Sequence, residues 1–272
     1  MSMIEIEALH KTFNRGTPNE VHALRGVDLK VDEADFVTII GTNGSGKSTL
    51  LNAVAGAFLP DTGTIRIDGR DVSRDRDYVR AKLVSRVFQN PYTGTAPDMT
   101  IAENLLMAVQ RGDRRYPKIS LNRACMGQFE KKVALLEMNL ERRLITVIGT
   151  LSGGQRQALT LLMAVIKPPK VLLLDEHTAA LDPKSAAQVI ELTKRFIREE
   201  RLTTLMVTHS MHQALELGNR TIMMHQGEII DDISEKEKRR LTVDDLLAKF
   251  SEVRKHEKLT EGILEELRME YL

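Results

Sequence analysis

"FVTIIGTNGSGKST" runs from Phe36 to Thr49 and decides the fold. Its first five residues are a continuous apolar run, the mark of a strand buried on both faces. The run passes directly into Gly41-Thr42-Asn43-Gly44-Ser45-Gly46-Lys47-Ser48-Thr49, which satisfies the pattern G-x-x-x-x-G-K-[ST]. Both flanking contexts are present, a buried strand before it and the helical "STLLNAVAG" after it. Gly41, Gly44 and Gly46 let the chain curl so that the backbone N–H groups of the loop, those of Asn43 and Ser45 included, face a phosphate. Lys47 reaches the β- and γ-phosphates as a point charge. The Ser48 hydroxyl can ligate Mg²⁺, and Thr49 can bond the α-phosphate region. The stretch reads as a nucleoside triphosphate site.

Working outward, "IEIEAL" at Ile4 and "VDLKV" at Val27 alternate apolar and charged residues, as half-exposed strands do, and "TIRIDG" at Thr64 alternates and ends in a turn. They predict a small antiparallel layer beside the start of a parallel core. Between about Asn90 and Leu151 the texture becomes helical, in "MTIAENLLMAVQ" and "GQFEKKVALLEMNL". Further on, "VLLLD" at Val171 and "TTLMVTH" at Thr203 are buried strands, separated by the amphipathic helix "SAAQVIELTKRFIREE". "TIMMHQGEII" predicts a hairpin turning at Gln226-Gly227. Strands alternating with helices give an α/β fold with a parallel core. The expected organisation is a P-loop NTPase core with an antiparallel β-subdomain over residues 1–233. It carries an inserted helical subdomain at about 90–165 and a C-terminal helical extension, 234–272. In that extension Thr242 is the expected N-cap, with Asp245 at the third helical position. Val243, Leu246, Leu247, Phe250 and Val253 share one helical face, and Ile263, Leu264, Leu267 and Tyr271 of "GILEELRMEYL" another.

Three further stretches carry chemistry. In "TLSGGQRQAL", from Thr150, two glycines precede a helix whose stripe is Ala158, Leu162, Val165 and Ile166. Two readings stand: Ser152 as an ordinary N-cap, or a stripped helix N-terminus that binds an anion. "VLLLDE" delivers Asp175 to a strand tip, where a carboxylate can hold Mg²⁺ through water or simply end a strand in a turn. Glu176 follows and could polarise an attacking water as general base. His209 ends the strand at Thr203, where an imidazole could bond a γ-phosphate or be structural.

Composition sets the exclusions. The 272 residues are 42% hydrophobic and 28% charged, as in a soluble globular chain. Lys and Arg number 39 against 38 Asp and Glu, a balance without the global footprint of a nucleic-acid binder. The short basic runs at Arg111 and Lys236 read as solvated surface. One cysteine, Cys125, excludes an intrachain disulfide framework and a multi-cysteine zinc site. No signal peptide is visible and no apolar run approaches the roughly 20 residues a membrane helix needs, so a cytoplasmic chain is expected.

The order "GTNGSGKST", Gln89 in "RVFQNP", "LSGGQ", "VLLLDE", "AALD", "VTH" resembles the ATP-binding subunits of ABC transporters, from Ile4 to about Ile230. The resemblance implies an ATPase that uses ATP and Mg²⁺. It also implies that two copies close head to tail over two nucleotides, Ser152, Gly153 and Gly154 of one donating to the γ-phosphate held by the other, with Gln155 nearby. Phe13 falls where such proteins stack an aromatic ring on adenine, although a strand-end core residue would look the same. Gln89 would contact Mg²⁺ or the attacking water, and Asp182 would link the two active sites. Partners would be transmembrane permease subunits and a substrate-binding protein, with this chain peripheral on the cytoplasmic face of the membrane. Most relatives place Pro-Thr-Ser after the Walker glutamate; "DEHTAALDP" instead resembles a bacterial importer subgroup for which tryptophan or tyrosine has been suggested. His177 is either close to nucleotide or a structural substitution. A non-transport ATPase of iron–sulfur assembly or cell division would share every motif. DNA-repair relatives carry zinc cysteines or a long coiled coil, which a single cysteine and a short insertion argue against.

Overall fold

The computed structural model describes residues 2–112 and 121–255, the last six by their backbone alone. In chain order the elements are β1 (Ser2–Phe13), β2 (Val21–Asp32), β3 (Phe36–Gly41), α1 (Lys47–Ala55), β4 (Thr62–Ile67), β5 (Arg70–Asp71), α2 (Asp77–Arg80), β6 (Val84–Val87), α3 (Ile101–Val109) and α4 (Arg123–Ala134). They continue with α5 (Gly153–Val165), β7 (Val171–Asp175), α6 (Pro183–Glu200), β8 (Thr203–Val207), α7 (Met211–Glu216), β9 (Arg220–His225), β10 (Glu228–Ile233), α8 (Glu235–Lys238) and α9 (Val243–Lys255). The chain divides into two compact units, one from residues up to 74 together with those from 203 on, the other from 75–202.

In the first unit β2, β1, β4 and β5 form an antiparallel sheet. The alternation in β1 buries Ile4 and Ile6, paired with Val31 and Leu29 of β2 and with Ile67 and Ile65 of β4, all of them core residues. A bulge breaks the register between Ile6 and Leu9. Ala8 takes a φ of +45° there, and the Asp28 carboxylate accepts its N–H at 2.8 Å. Beyond the bulge β1 runs on to Phe13, paired with Val21, which is why β2 begins six residues before the "VDLKV" pattern shows it. In the same unit β3 lies between β8 and β9, parallel to both. Apart from Phe36 at the entry of β3, every residue of β3 and β8 is buried, as a continuous apolar run requires. The hairpin from β9 to β10 turns at Gln226 and Gly227, both at positive φ, +45° and +87°.

The Thr242 cap is made as the sequence predicts. Thr242 N–H and hydroxyl both donate to the Asp245 carboxylate at 2.7 Å, and Asp245 N–H returns to the threonine oxygen at 3.3 Å. The following helix sets Leu246, fully buried, among Ile40, Met211, Ala214, Met223 and Ile233, with Val243 and Leu247 at the edge. Phe250, Val253 and the "GILEELRMEYL" pattern lie outside the side chains described.

In the second unit β6 and β7 are parallel, Val84 opposite Val171 and Val87 opposite Leu174. α3 opens with a capping box of Thr100 and Glu103, and α4 with Asn122, whose side chain accepts the Cys125 N–H at 2.9 Å. That cap starts α4 four residues before the apolar pattern, and the helix stops at Ala134 rather than continuing to Leu140. α5 is buried on nearly all faces from Gly154 to Val165. α6 begins at Pro183, before the first predicted residue, because Asp182 is its N-cap and proline suits the first helical position.

Candidate functional site

In the first unit the loop after β3 is fixed from several sides. Ser45 N–H bonds Thr42 C=O at 3.0 Å, Gly227 N–H bonds Ser45 C=O at 3.0 Å, and Arg25 N–H bonds Gly227 C=O at 2.9 Å. Gly46 is the N-cap of α1 at φ +99°, and a Cβ there would stand 2.5 Å from the Ala23 carbonyl. Only glycine meets both demands. With no side chain at the cap, the helix N-terminus is left to an external anion. Lys47 is buried at 5% exposure, its ammonium folded onto the carbonyls of Gly41 at 2.5 Å and Thr42 at 3.0 Å. The buried Ser45 hydroxyl has no hydrogen-bond partner among the described residues. Asn43, Gly44 and Ser48 are exposed and Thr49 is half-buried. A cradle of this shape, with an ammonium on its floor and a hydroxyl at the first helical turn, fits a triphosphate carrying Mg²⁺.

The parallel register also sets His209. Ile39 pairs with Val207 at the end of β8, and His209 follows two residues beyond that strand as Gly41 ends β3. Thr208 N–H bonds Ile39 C=O at 3.2 Å and holds that strand end in step. His209 is half-buried, next to Ser210, the N-cap of α7. Phe13, also half-buried, packs edge-on to Phe58 with centroids 5.3 Å apart, and the Lys11 ammonium lies 5.5 Å and 5.2 Å from the two rings.

The second unit repeats the register logic. Val87 pairs with Leu174 at the end of the ladder, and Phe88 and Gln89 follow β6 as Asp175 ends β7 and Glu176 follows it. Gln89 is exposed. Asp175 is mostly buried and takes an ion pair from Arg86, Nη2 to Oδ2 at 2.6 Å, whose guanidinium also lies over the Phe88 ring at 4.5 Å. Among the described residues no group of three or more His, Cys, Asp or Glu could hold a metal. A single carboxylate of this kind fits an ion completed by phosphate oxygens and water. Glu176 is half-buried with φ +47°, a left-handed backbone that costs a residue with a Cβ of the order of 1 kcal/mol or more.

The signature helix is not bare within one chain. Ser152 caps it, accepting Gln155 N–H at 3.3 Å, and the Gln155 side chain accepts Ser152 N–H at 3.3 Å. Both bonds are at the long end of the usual range, so the cap is weak. The N-cap reading of Ser152 therefore describes the single chain. Asp182 likewise caps α6, accepting Ser185 N–H at 3.0 Å, and the Ser185 hydrogen bonds lower its pKa.

Sequence reasoning missed Gln157 and Arg86. Gln157 is fully buried in α5, and its side-chain amide donates to Phe88 C=O at 3.0 Å and to His177 C=O at 2.7 Å. Its place in "LSGGQRQAL", beyond the glycines, looks like an ordinary helix position. His177 is a structural group: buried among core elements, its Nε2 meets the Thr193 hydroxyl at 3.0 Å, and burial pushes its pKa down to about 4. Thr193 spends its own proton on Val189 C=O at 2.8 Å, so Nε2 carries the imidazole proton.

The family profile described as "ABC transporter" matches residues 24–179. The chain is 44% identical over 250 residues to a tyrosine transport ATP-binding protein of Clostridioides difficile (strain R20291), covering 91% of this chain and 98% of that one. It is 32% identical over 262 residues to the phosphonates import ATP-binding protein PhnC of Lactococcus lactis subsp. cremoris (strain SK11), covering 91% and 99%. Its fold matches the dimeric post-hydrolysis structure of the ATP-binding cassette MJ0796 with ADP and Pi. That match has a TM-score of 0.73 at 28% identity and covers 86% of this chain and 99% of that one.

Proposed function

The chain belongs to the ABC transporter ATP-binding family, and from that premise we propose that it powers a multi-chain bacterial importer of amino acids, tyrosine or a close relative being its substrate. Membership makes it an ATPase that uses ATP with Mg²⁺. The observation that carries the importer reading is the 44% identity to the tyrosine transport protein along almost the whole of both chains. A shared regulatory or spanning domain is not needed to account for the match. No helix among the described residues is long and apolar enough to cross a membrane. The proposed partners are permease subunits, with a substrate-binding protein delivering the solute, and the proposed location is the cytoplasmic face of the membrane.

Phosphoryl transfer asks little covalent chemistry of a protein; positioning and charge stabilisation do most of the work. Lys47, with the glycine cradle, holds the phosphates, and Phe13 stacks on adenine. Ser48 and Asp175 would hold Mg²⁺, which would neutralise charge on the phosphates. Glu176 polarises the attacking water, with Gln89 and His209 sensing its geometry and the γ-phosphate. In a head-to-tail pair, the Ser152–Gln155 end of one copy faces the other copy's nucleotide, exchanging its weak internal cap for phosphate oxygens, and Asp182 links the two sites. ATP then acts as glue, and its hydrolysis lets the pair reopen.

The test uses tagged Glu176→Gln in its native cells. Hydrolysis should fall about 10²-fold or more, and gentle solubilisation with ATP should recover a polytopic permease. Recovery of soluble partners alone, with the tagged chain absent from membranes, would overturn the importer reading and leave the ATPase standing.

A further inference from the structure

One buried side chain touches both of the backbone segments on which hydrolysis is proposed to depend. The Gln157 amide nitrogen donates to the carbonyl of Phe88, the residue before Gln89, at 3.0 Å, and to the carbonyl of His177, the residue after Glu176, at 2.7 Å. Both partners are carbonyl oxygens and can only accept, so the nitrogen must face them. The consequence is that Gln157 Oε1 is buried without a partner among the described residues. An orphaned buried acceptor is unfavourable, and so is the left-handed φ of +47° at Glu176. Two unfavourable features meeting at one point suggest a geometry held for use rather than for stability.

We propose that Gln157 is a positioning residue for ATP hydrolysis, its amide clamping the Gln89 and Glu176 backbones together so that the water-polarising carboxylate and the water- or magnesium-contacting amide are set as one unit. The clamp is anchored on both sides. Gln157 sits on α5, two residues beyond Gln155, so the helix that opens with Ser152 carries it. His177 is held from the other side by Thr193 of α6. Arg156, the neighbour of Gln157, reaches the same loop further along, its guanidinium 4.0 Å from the Tyr92 ring. A displacement of the loop at Gln89–Tyr92 is thereby transmitted to α5 and to Glu176 together. This deepens the proposed roles of Glu176 and Gln89 and rests on them.

The test compares the purified full chain with Gln157→Met, Glu176→Gln and the double variant. Gln157→Met fills the same space without a donor. It should lower kcat about 10- to 100-fold, with KM and the affinity for a non-hydrolysable ATP analogue changed less than about threefold. In the double variant it should subtract little from the residual rate of Glu176→Gln, because the clamp acts through that carboxylate. Wild-type kcat in Gln157→Met would overturn the clamp whatever Glu176→Gln does. An equal further loss in the double variant would show independent action and overturn it too. Wild-type turnover in Glu176→Gln would instead overturn the underlying assignment of the general base. If Gln157→Met does not fold, Gln157→Asn keeps a buried amide that is too short to span both carbonyls, and carries the same expectations.

Discussion

Gly154 lies against Ser185: a Cβ built on Gly154 would fall 2.5 Å from the Ser185 hydroxyl, while one built on Gly153 would meet only Leu181, at 3.6 Å, among the described residues. The two glycines of the signature are therefore not equivalent. Gly154 is required by the close approach of the α5 and α6 N-termini within one chain. Gly153 is not, and the proposed reason for its bare position is the phosphate held by a second copy. Gly154→Ala should destabilise the chain by about 1–3 kcal/mol in urea unfolding, the usual consequence of overpacking. Gly153→Ala should unfold like the wild type yet lose ATP-driven dimer formation in light scattering. If Gly153→Ala dimerises normally, the phosphate of a second copy is not what the helix end receives.

The ion pair of Arg86 with Asp175 places a cation on the carboxylate proposed to hold Mg²⁺. The metal and the guanidinium then compete for one group. Arg86→Met should lower the Mg²⁺ concentration needed for half-maximal binding of an ATP analogue about fivefold, equivalent to roughly 1 kcal/mol. It should also make thermal stability more dependent on Mg²⁺, since the buried carboxylate then lacks the guanidinium beside it. A titration showing an unchanged or higher Mg²⁺ requirement would remove Asp175 from the competition.

His177 gives a pH signature. Burial holds its folded-state pKa at about 4, against 6.5 unfolded. In that window the unfolded chain binds the proton and the folded chain does not, so acidification favours unfolding. The loss begins as pH falls through 6.5 and is complete below about 4. Between pH 7.5 and 5 it should come to about 2 kcal/mol. His177→Gln does not titrate, so its stability should fall by that much less over the same interval. Parallel curves for the two chains in urea unfolding at each pH would show that His177 protonates while folded.

Much of the site was legible because its residues follow local rules. The Phe36–Ile40 run and the glycine spacing after it point to a buried strand feeding a phosphate loop, and the strand and the turn at Gly46 are present. The Gln226-Gly227 turn and the Thr242–Asp245 cap were equally local, and each is present. What could not be read depended on partners distant in sequence. Gln157 finds Phe88 69 residues away, and Arg86 finds Asp175 89 residues away. Neither pairing leaves a periodicity or a spacing. The early start of β2 was hidden for a similar reason, since its first residues become strand only by pairing with the end of β1 beyond a bulge. Capping set the starts of α4 and α6 four and two residues before the predicted stretches begin.

The C-terminal helix makes the last prediction. Leu246 is fully buried with Ile40, which immediately precedes Gly41, so α9 supports the strand that carries the phosphate loop. Leu246→Ala should cost about 2–5 kcal/mol of stability, as loss of a buried leucine usually does. The loop itself is bonded to Gly227, which Arg25 holds in turn. Removing the leucine should therefore leave the affinity for ATP unchanged within about twofold, well under 1.4 kcal/mol, at temperatures where the variant remains folded. Calorimetric unfolding paired with equilibrium nucleotide binding separates the two effects. A folded variant with tenfold weaker ATP binding would mean that α9 shapes the nucleotide site through Ile40, making the C-terminal extension a part of the ATPase machinery rather than a brace beneath it.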